Sequence, residues 1–191
     1  MEGIKLSDNK KIKSGFVAIL GRPNVGKSTL MNHLIGMKIA AVSKRAQTTR
    51  KRIQTVYTDE RGQIIFLDTP GINKAETKLG EFMLDSAAET LKTADMIMWI
   101  IEPSAFIGAG EKSIIDMVSK SLELPVILVI NKCDTADDER LENTRELYSR
   151  EFNELSGKSF TDVIAVSAIE GNNLDALMSK LYRLLPEGPM Y

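Results

Sequence analysis

The stretch Gly-Arg-Pro-Asn-Val-Gly-Lys-Ser-Thr occupies residues 21–29 and fits the pattern G-x-x-x-x-G-K-[ST]. Gly21 and Gly26 leave room for a phosphate chain to lie against backbone N–H groups. Lys27 can reach the β- and γ-phosphates, the Ser28 hydroxyl can bind Mg²⁺, and the start of the following helix adds a partial positive charge. The stretch therefore predicts a nucleoside triphosphate site.

The residues on either side of this stretch predict a strand, a loop and a helix in that order. Residues 16–20 are a short apolar run, and residues 29–35 carry apolar side chains at helical spacing. A Gly-rich turn between two buried elements is the alternative, but the filling of every motif position favours a phosphate loop. We expect nucleotide contacts from Gly21, Arg22, Pro23, Asn24, Val25, Gly26, Lys27, Ser28 and Thr29.

Length, charge and cysteine content favour one domain in a reducing compartment. The chain has 191 residues, and 25 Lys and Arg against 26 Asp and Glu leave a formal net charge of −1. A nucleic acid or a membrane would therefore need a local patch to bind. The single cysteine, Cys133, excludes an internal disulfide framework. Residues 1–14 are polar and Lys-rich, and we expect a flexible arm there rather than a secretory signal.

A polar segment after the first helix carries a candidate switch. Residues 38–52 show neither helix nor strand periodicity and include Gln47-Thr48-Thr49 among several basic residues. The basic residues are equally compatible with a solvated connection. A threonine hydroxyl in such a loop can bind Mg²⁺ while the γ-phosphate is present, and Thr48 and Thr49 are both candidates.

A second acidic anchor follows a predicted β-hairpin over residues 53–67. The hairpin ends in Asp68-Thr69-Pro70-Gly71, at the strand edge where open α/β sheets bind ligands. Asp68 can hold Mg²⁺ directly or through water, and the N–H of Gly71 can contact the γ-phosphate. We therefore include Asp68, Thr69, Pro70 and Gly71 among the nucleotide contacts.

The stretch Asn131-Lys132-Cys133-Asp134 follows an apolar predicted strand and indicates selection of guanine. Guanine presents N1–H and N2–H₂ donors side by side, and the carboxylate of Asp134 can accept from both. Asn131 would join this loop to the phosphate loop, and the stem of Lys132 could lie along the purine ring. A backbone N–H of Ser167-Ala168, after the last predicted strand, could bind guanine O6.

The remaining pattern predicts a three-layer α/β/α fold with a six-stranded mixed, mostly parallel sheet. Buried strands are predicted over residues 95–101, 124–130 and 162–166, and helices over 79–93, 111–121, 139–155 and 173–185. We expect Met83, on the apolar side of the first of these helices, to be core. The predicted domain covers residues 15–186, and residues 187–191 begin a linker.

In order, G-x-P-N-V-G-K-S, D-T-P-G, N-K-C-D and S-A resemble a Ras-like GTPase domain of the translation-factor-related class. Asn24, the A-Q-T-T-R segment of residues 46–50 and the D-T-P-G-I segment of residues 68–72 resemble the Era-type bacterial GTPases. The resemblance covers about residues 15–191 and implies binding of GTP and GDP, GTP hydrolysis and use of Mg²⁺. The metal ligands it implies are Ser28, Thr49 and Asp68, and the catalytic residues are Lys27, Thr49, Gly71 and Asn24.

The resemblance also implies a role in assembly of the small ribosomal subunit. Era-type proteins carry a KH domain that binds the 3′ end region of small-subunit ribosomal RNA, and no G-x-x-G clamp follows the last predicted helix. We therefore expect a GTPase domain of a longer protein, or a naturally short relative, with the 30S subunit and 16S rRNA bound by the full-length protein. The implied location is cytoplasmic, with room for peripheral association at the inner face of the cell membrane.

Two other functions are compatible with parts of this pattern. The first is an RNA- or ribosome-binding module that uses the basic loop and hydrolyses GTP only incidentally. The second is an ATP-using kinase of the phosphate-loop class, which Asp134 disfavours.

Position 72 bears on the rate of hydrolysis. Ras-like enzymes carry a glutamine there that orients the attacking water, whereas Ile72 cannot do so, and intrinsic turnover should be slow. The resemblance implies one candidate, since some GTPases with asparagine at the position of Asn24 use it to hold K⁺ against the phosphates, which would place a positive charge at the reacting group. The alternative is that Asn24 only forms hydrogen bonds within the loop.

Overall fold

The computed structural model describes residues 12–37, 53–69, 78–121 and 123–191. These residues form one six-stranded sheet in the order β2-β3-β1-β4-β5-β6. The strands are β1 (Lys13–Leu20), β2 (Ile53–Asp59), β3 (Gly62–Asp68), β4 (Met96–Ile101), β5 (Val126–Ile130) and β6 (Asp162–Ala165). Only the β2-β3 pair of this sheet is antiparallel. The predicted mixed, mostly parallel sheet is confirmed.

Helices cover both faces of the sheet. They are α1 (Lys27–Met37), α2 (Lys78–Leu91), α3 (Ala109–Ser119), α4 (Asp138–Ser156) and α5 (Leu174–Leu184). Along β4, Met98 and Ile100 pack in a core with α1 and α5, whereas Ile97 and Trp99 pack in a second core with α2, α3 and α4. Such a strand is apolar throughout because helices cover both of its faces. The three-layer arrangement is therefore confirmed.

Element bounds differ from the predicted ones by at most two residues, except at β1. The structure begins this strand at Lys13, so the predicted arm over residues 1–14 is too long. The Lys13 N–H donates to the Arg61 carbonyl and the Ser14 N–H to the Pro186 carbonyl, both at 3.1 Å. Because these partners are backbone groups distant in sequence, the apolar pattern gave no sign of a strand over two polar residues.

The predicted linker over residues 187–191 packs against the domain. Glu187 forms a β-bridge with Lys13, and the Tyr191 N–H donates to Gln63 Oε1 at 2.8 Å. The Tyr191 ring lies 4.8 Å from the Phe16 ring. This segment therefore lies at the starts of β1 and β3, at the opposite sheet edge from the phosphate loop. Among the helices of the described ranges, none has the length and apolar character needed to cross a membrane.

Candidate nucleotide-binding site

The phosphate loop leaves the carboxyl end of β1 and leads into α1 at Lys27. Its two glycines have positive φ values, 154° at Gly21 and 96° at Gly26. A Cβ atom at Gly21 would lie 2.5 Å from the Ile100 carbonyl oxygen, and one at Gly26 would overlap the Asn131 amide. Both positions therefore require glycine to let the loop pack against β4 and Asn131, in addition to leaving room for phosphate.

The ammonium group of Lys27 is held by the loop itself. Its Nζ donates to the Gly21 carbonyl at 2.8 Å and to the Arg22 carbonyl at 2.7 Å. These contacts bend the loop around the side chain of Lys27, the first residue of α1. The positive charge is thereby positioned at the loop, where a phosphate chain would need it.

An open cavity of about 540 Å³ lies beside the loop. Its volume is within the range of small-molecule sites. It is lined by Pro23, Asn24, Gly26, Lys27, Ser28, Thr29 and Met83. The structure thus brings most of the predicted phosphate-loop contacts to one cavity. Met83, which we expected in the core, is half-buried on α2 and lines this cavity instead, and no sequence signal marked it.

Asn131 connects the phosphate loop to the loop that follows β6. Its Nδ2 donates to the Val25 carbonyl and its Oδ1 accepts from the Ala168 N–H, both at 2.9 Å. The side chain is 2% exposed. The Ala168 N–H, one of the two backbone N–H groups of Ser167-Ala168 predicted as candidates for guanine O6, therefore donates to Asn131 in this structure.

A second, smaller cavity adjoins the first at this junction. It is lined by Gly26, Thr29, Asn131, Lys132, Asp134, Ala168 and Ile169. Asp134 is exposed in a 3₁₀ turn over Cys133–Thr135, so its carboxylate is accessible to a base. Ile169 was missed by sequence reasoning, although its side chain is 70% exposed and supplies an apolar wall. The structure therefore joins the triphosphate and base motifs as adjoining cavities.

Lys132 and Cys133 have different environments in this loop. Lys132 has a left-handed backbone with φ of 60°, and its Nζ donates to Glu102 Oε2 at 2.7 Å. This ion pair joins the end of the Lys132 side chain to the residue that follows β4. Burial raises the pKa of the Cys133 thiol, and the negative charge of Asp134 raises it further. Cys133 is therefore a protonated thiol at neutral pH rather than a reactive thiolate.

Two predicted contact residues use their side chains within the protein. Thr69 is buried, and its hydroxyl donates to the Ile19 carbonyl of β1. Ser167 is fully buried, and its Oγ accepts from the Glu170 N–H at 3.1 Å. These hydroxyls hold the ends of β3 and β6 in place, so contact with nucleotide there would involve backbone groups.

Arg22 also contacts the protein rather than the cavity. Its Nη1 donates to Glu111 Oε1 of α3 at 2.8 Å, and this hydrogen bond raises the pKa of the guanidinium. The backbone of Asp68 pairs with Ile19 beside the start of the phosphate loop. Thr48, Thr49, Pro70, Gly71 and Ile72 lie outside the described residues, so their predicted roles stay predictions.

The fold and these adjoining cavities define a Ras-like GTPase domain with a phosphate loop. A family model described as 50S ribosome-binding GTPase matches residues 16–132, and the chain belongs to that family. Elongation factor SelB from Methanococcus maripaludis shares the fold, with a TM-score of 0.68 at 18% identity over 91% of this chain and 34% of that chain.

The chain is also similar to proteins named GTPase Era. It is 48% identical over 180 residues to GTPase Era of Clostridioides difficile, covering 94% of this chain and 58% of that protein. Aquifex aeolicus Era bound to GDP·AlF₄⁻ has a TM-score of 0.74 at 37% identity, covering 94% of this chain and 60% of that one. The Era-type resemblance is confirmed, and the chain spans somewhat more than half the length of these relatives.

Proposed function

We propose that this chain is the GTP-binding and GTP-hydrolysing part of a molecular switch acting in small ribosomal subunit assembly. The observation that carries the proposal is Asn131, which joins the phosphate loop through Val25 to the base-side loop through Ala168. A single side chain therefore aligns a triphosphate site with a guanine-selective site. The relatives named GTPase Era support the GTPase part of this proposal.

The residues at the cavity suit Mg²⁺ as a cofactor. Magnesium takes few protein ligands and completes its shell with phosphate oxygens and water. Ser28 is exposed in the first turn of α1 and lines the cavity, and Asp68 ends the neighbouring strand β3. In the described ranges no group of three or more His, Cys, Asp or Glu forms a closed metal site. We assign Ser28, Thr49 and Asp68 as ligands, and bound Mg²⁺ would neutralise charge on the phosphates.

Catalysis in this proposal rests on positioning and electrostatics, as is general for phosphoryl transfer. Lys27, already held by two loop carbonyls, places a fixed positive charge at the phosphates. Thr49 and Gly71 would sense the γ-phosphate, so that hydrolysis changes the state of their segments. Turnover is slow because Ile72 cannot orient water. Support for Mg²⁺ comes from a related Era structure, 38% identical, that contains MgGDPNP.

We further propose that K⁺ stimulates hydrolysis through Asn24. Asn24 is exposed at the cavity and has a left-handed backbone, with φ of 65°. Glycine keeps this backbone conformation while removing the amide, so Asn24→Gly is the sharpest variant. We expect the unaltered chain to hydrolyse GTP about tenfold faster in KCl than in NaCl, and Asn24→Gly to lose the difference.

The control for the potassium experiment is GDP affinity, which should be similar for both chains if the loop keeps its shape. Equal turnover of the unaltered chain in the two salts would contradict the proposal. If the potassium effect persists in Asn24→Gly, Asn24 does not bind the K⁺ ion and only forms hydrogen bonds within the loop.

The ribosomal part of the proposal rests on the relatives. The matching family is described by binding to the 50S subunit, whereas a related Era structure contains nucleotides 1506–1542 of 16S ribosomal RNA. We favour the small subunit because the Era proteins are similar over 94% of this chain. We also infer a cytoplasmic location, with peripheral association at the inner membrane face allowed by the resemblance.

RNA binding distinguishes the switch from a simple binding module. We expect the chain to bind a 16S rRNA 3′-terminal fragment weakly, and its contact with 30S subunits to differ between GDP and GDPNP. The measurement is affinity for both partners in each nucleotide state across a salt series. Strong RNA affinity that falls steeply with salt, whichever nucleotide is bound, would instead support the binding module.

A further inference from the structure

A buried carboxylate lies behind the phosphate loop. Glu111 is in the first turn of α3, and its side chain is 7% exposed. One oxygen, Oε1, accepts from Arg22 Nη1 at 2.8 Å. The other, Oε2, is buried with no hydrogen-bond partner in the described part of the chain. Burying a carboxylate with one unpaired oxygen costs free energy. A contact of Glu111 therefore has to offset this cost.

The absence of a side chain at Gly108 leaves room for the Glu111 carboxylate. A Cβ atom at Gly108 would lie 2.9 Å from Glu111 Oε2, so a larger residue would displace the carboxylate. Tyr148 of α4 is buried nearby, where burial first and the negative charge of Glu111 second raise the pKa of its phenol. The buried surroundings of Glu111 are therefore formed by α3, the loop before α3, and α4. They lie outside both cavities.

Arg22 connects Glu111 to the phosphate loop. The Gly21 and Arg22 carbonyls both accept from Lys27 Nζ. Fixing the Arg22 side chain on α3 restricts its backbone, and Pro23 restricts the same residue further from the other side. The direction of both carbonyls, and hence the position of the ammonium group, depends on where Arg22 is held.

We propose that Glu111 is a positioning residue for the phosphate loop. By holding Arg22, it keeps the Gly21 and Arg22 carbonyls directed at Lys27, so α3 helps to set the geometry of the phosphate site. The inference deepens the proposed function and rests on it, since the site it shapes is the GTP site. It assigns a role to Arg22 that differs from contact with the nucleotide.

The test measures GDP dissociation from the unaltered chain, Glu111→Gln, Arg22→Met and the double variant. Loss of the charge-assisted hydrogen bond should speed GDP release about tenfold in each single variant. The double variant should release GDP no faster than Arg22→Met alone, because Glu111 acts through Arg22. The matched control is Asp116→Asn on α3, which removes an exposed ion pair with Lys120, the residue that follows this helix. Its release rate should be unchanged.

Thermal unfolding of each variant separates positioning from simple stabilisation. If Glu111→Gln lowers the unfolding temperature but leaves GDP release unchanged, Glu111 is only structural and the inference is wrong. Additive effects in the double variant would also overturn it. If the unaltered chain bound no GDP, the proposed function itself would fail, which distinguishes the two results.

Discussion

Replacing Asp134 with asparagine is expected to change the base preference from guanine to xanthine. In the proposed guanine site the Asp134 carboxylate would accept from two guanine donors, whereas an asparagine amide can donate to the C2 carbonyl of xanthine. Losing two hydrogen bonds to a charged group should weaken GDP binding by about 10²- to 10³-fold. The measurement compares affinities for GDP, XDP and ADP in the original chain and in Asp134→Asn.

The matched control for this substitution is Asp138→Asn, an exposed carboxylate in the first turn of α4. It makes the same charge change nearby without touching the cavity, and it should leave all three affinities unchanged. An unaltered base preference in Asp134→Asn would refute the guanine assignment. Equal GDP and ADP affinity in the original chain would favour the ATP-using alternative.

Replacing Asn131 with alanine is expected to reduce both stability and nucleotide affinity. The change leaves the Val25 carbonyl and the Ala168 N–H buried and unpaired. Each such group costs about 1–3 kcal/mol, so the free energy of unfolding should fall by about 2–6 kcal/mol. Denaturant unfolding and GDP affinity measure the two effects, with Asn32→Ala, at an exposed position on α1, as the control.

A less destabilising variant keeps this prediction testable if Asn131→Ala does not fold. Asn131→Asp retains an acceptor for the Ala168 N–H and loses the donor to Val25, so its GDP affinity should still fall. Unchanged unfolding and unchanged GDP affinity in both variants would show that the loops are positioned without Asn131.

The sequence predicted the sheet, the helices and the phosphate loop because each has a local signature. Strand β4 is apolar throughout since both its faces are covered, and residues 21–29 fill a spacing that phosphate chemistry requires. The position of Asn131 after β5 could be predicted from the sequence because its motif follows an apolar strand. These features depend on residues adjacent in the chain or one helical turn apart.

The contacts that sequence reasoning missed connect distant residues. Arg22 pairs with Glu111 across 89 positions, and the backbone of Ser14 pairs with Pro186 near the other end of the chain. No periodicity encodes such a pairing, because either partner alone looks like an ordinary surface residue. Ile169 was missed for a related reason, since only the turn after β6 brings it to the smaller cavity.

The placement of Trp99 gives the domain an internal optical reporter. It is the single tryptophan of the chain, fully buried, and its ring lies 5.7 Å from Tyr148 and 5.9 Å from Phe160. Its indole N–H has no hydrogen-bond partner in the part of the chain that the structure describes. Such an apolar setting gives short-wavelength fluorescence, which shifts to the red when water reaches the ring. The emission therefore reports on the core that α2, α3 and α4 form against one face of the sheet.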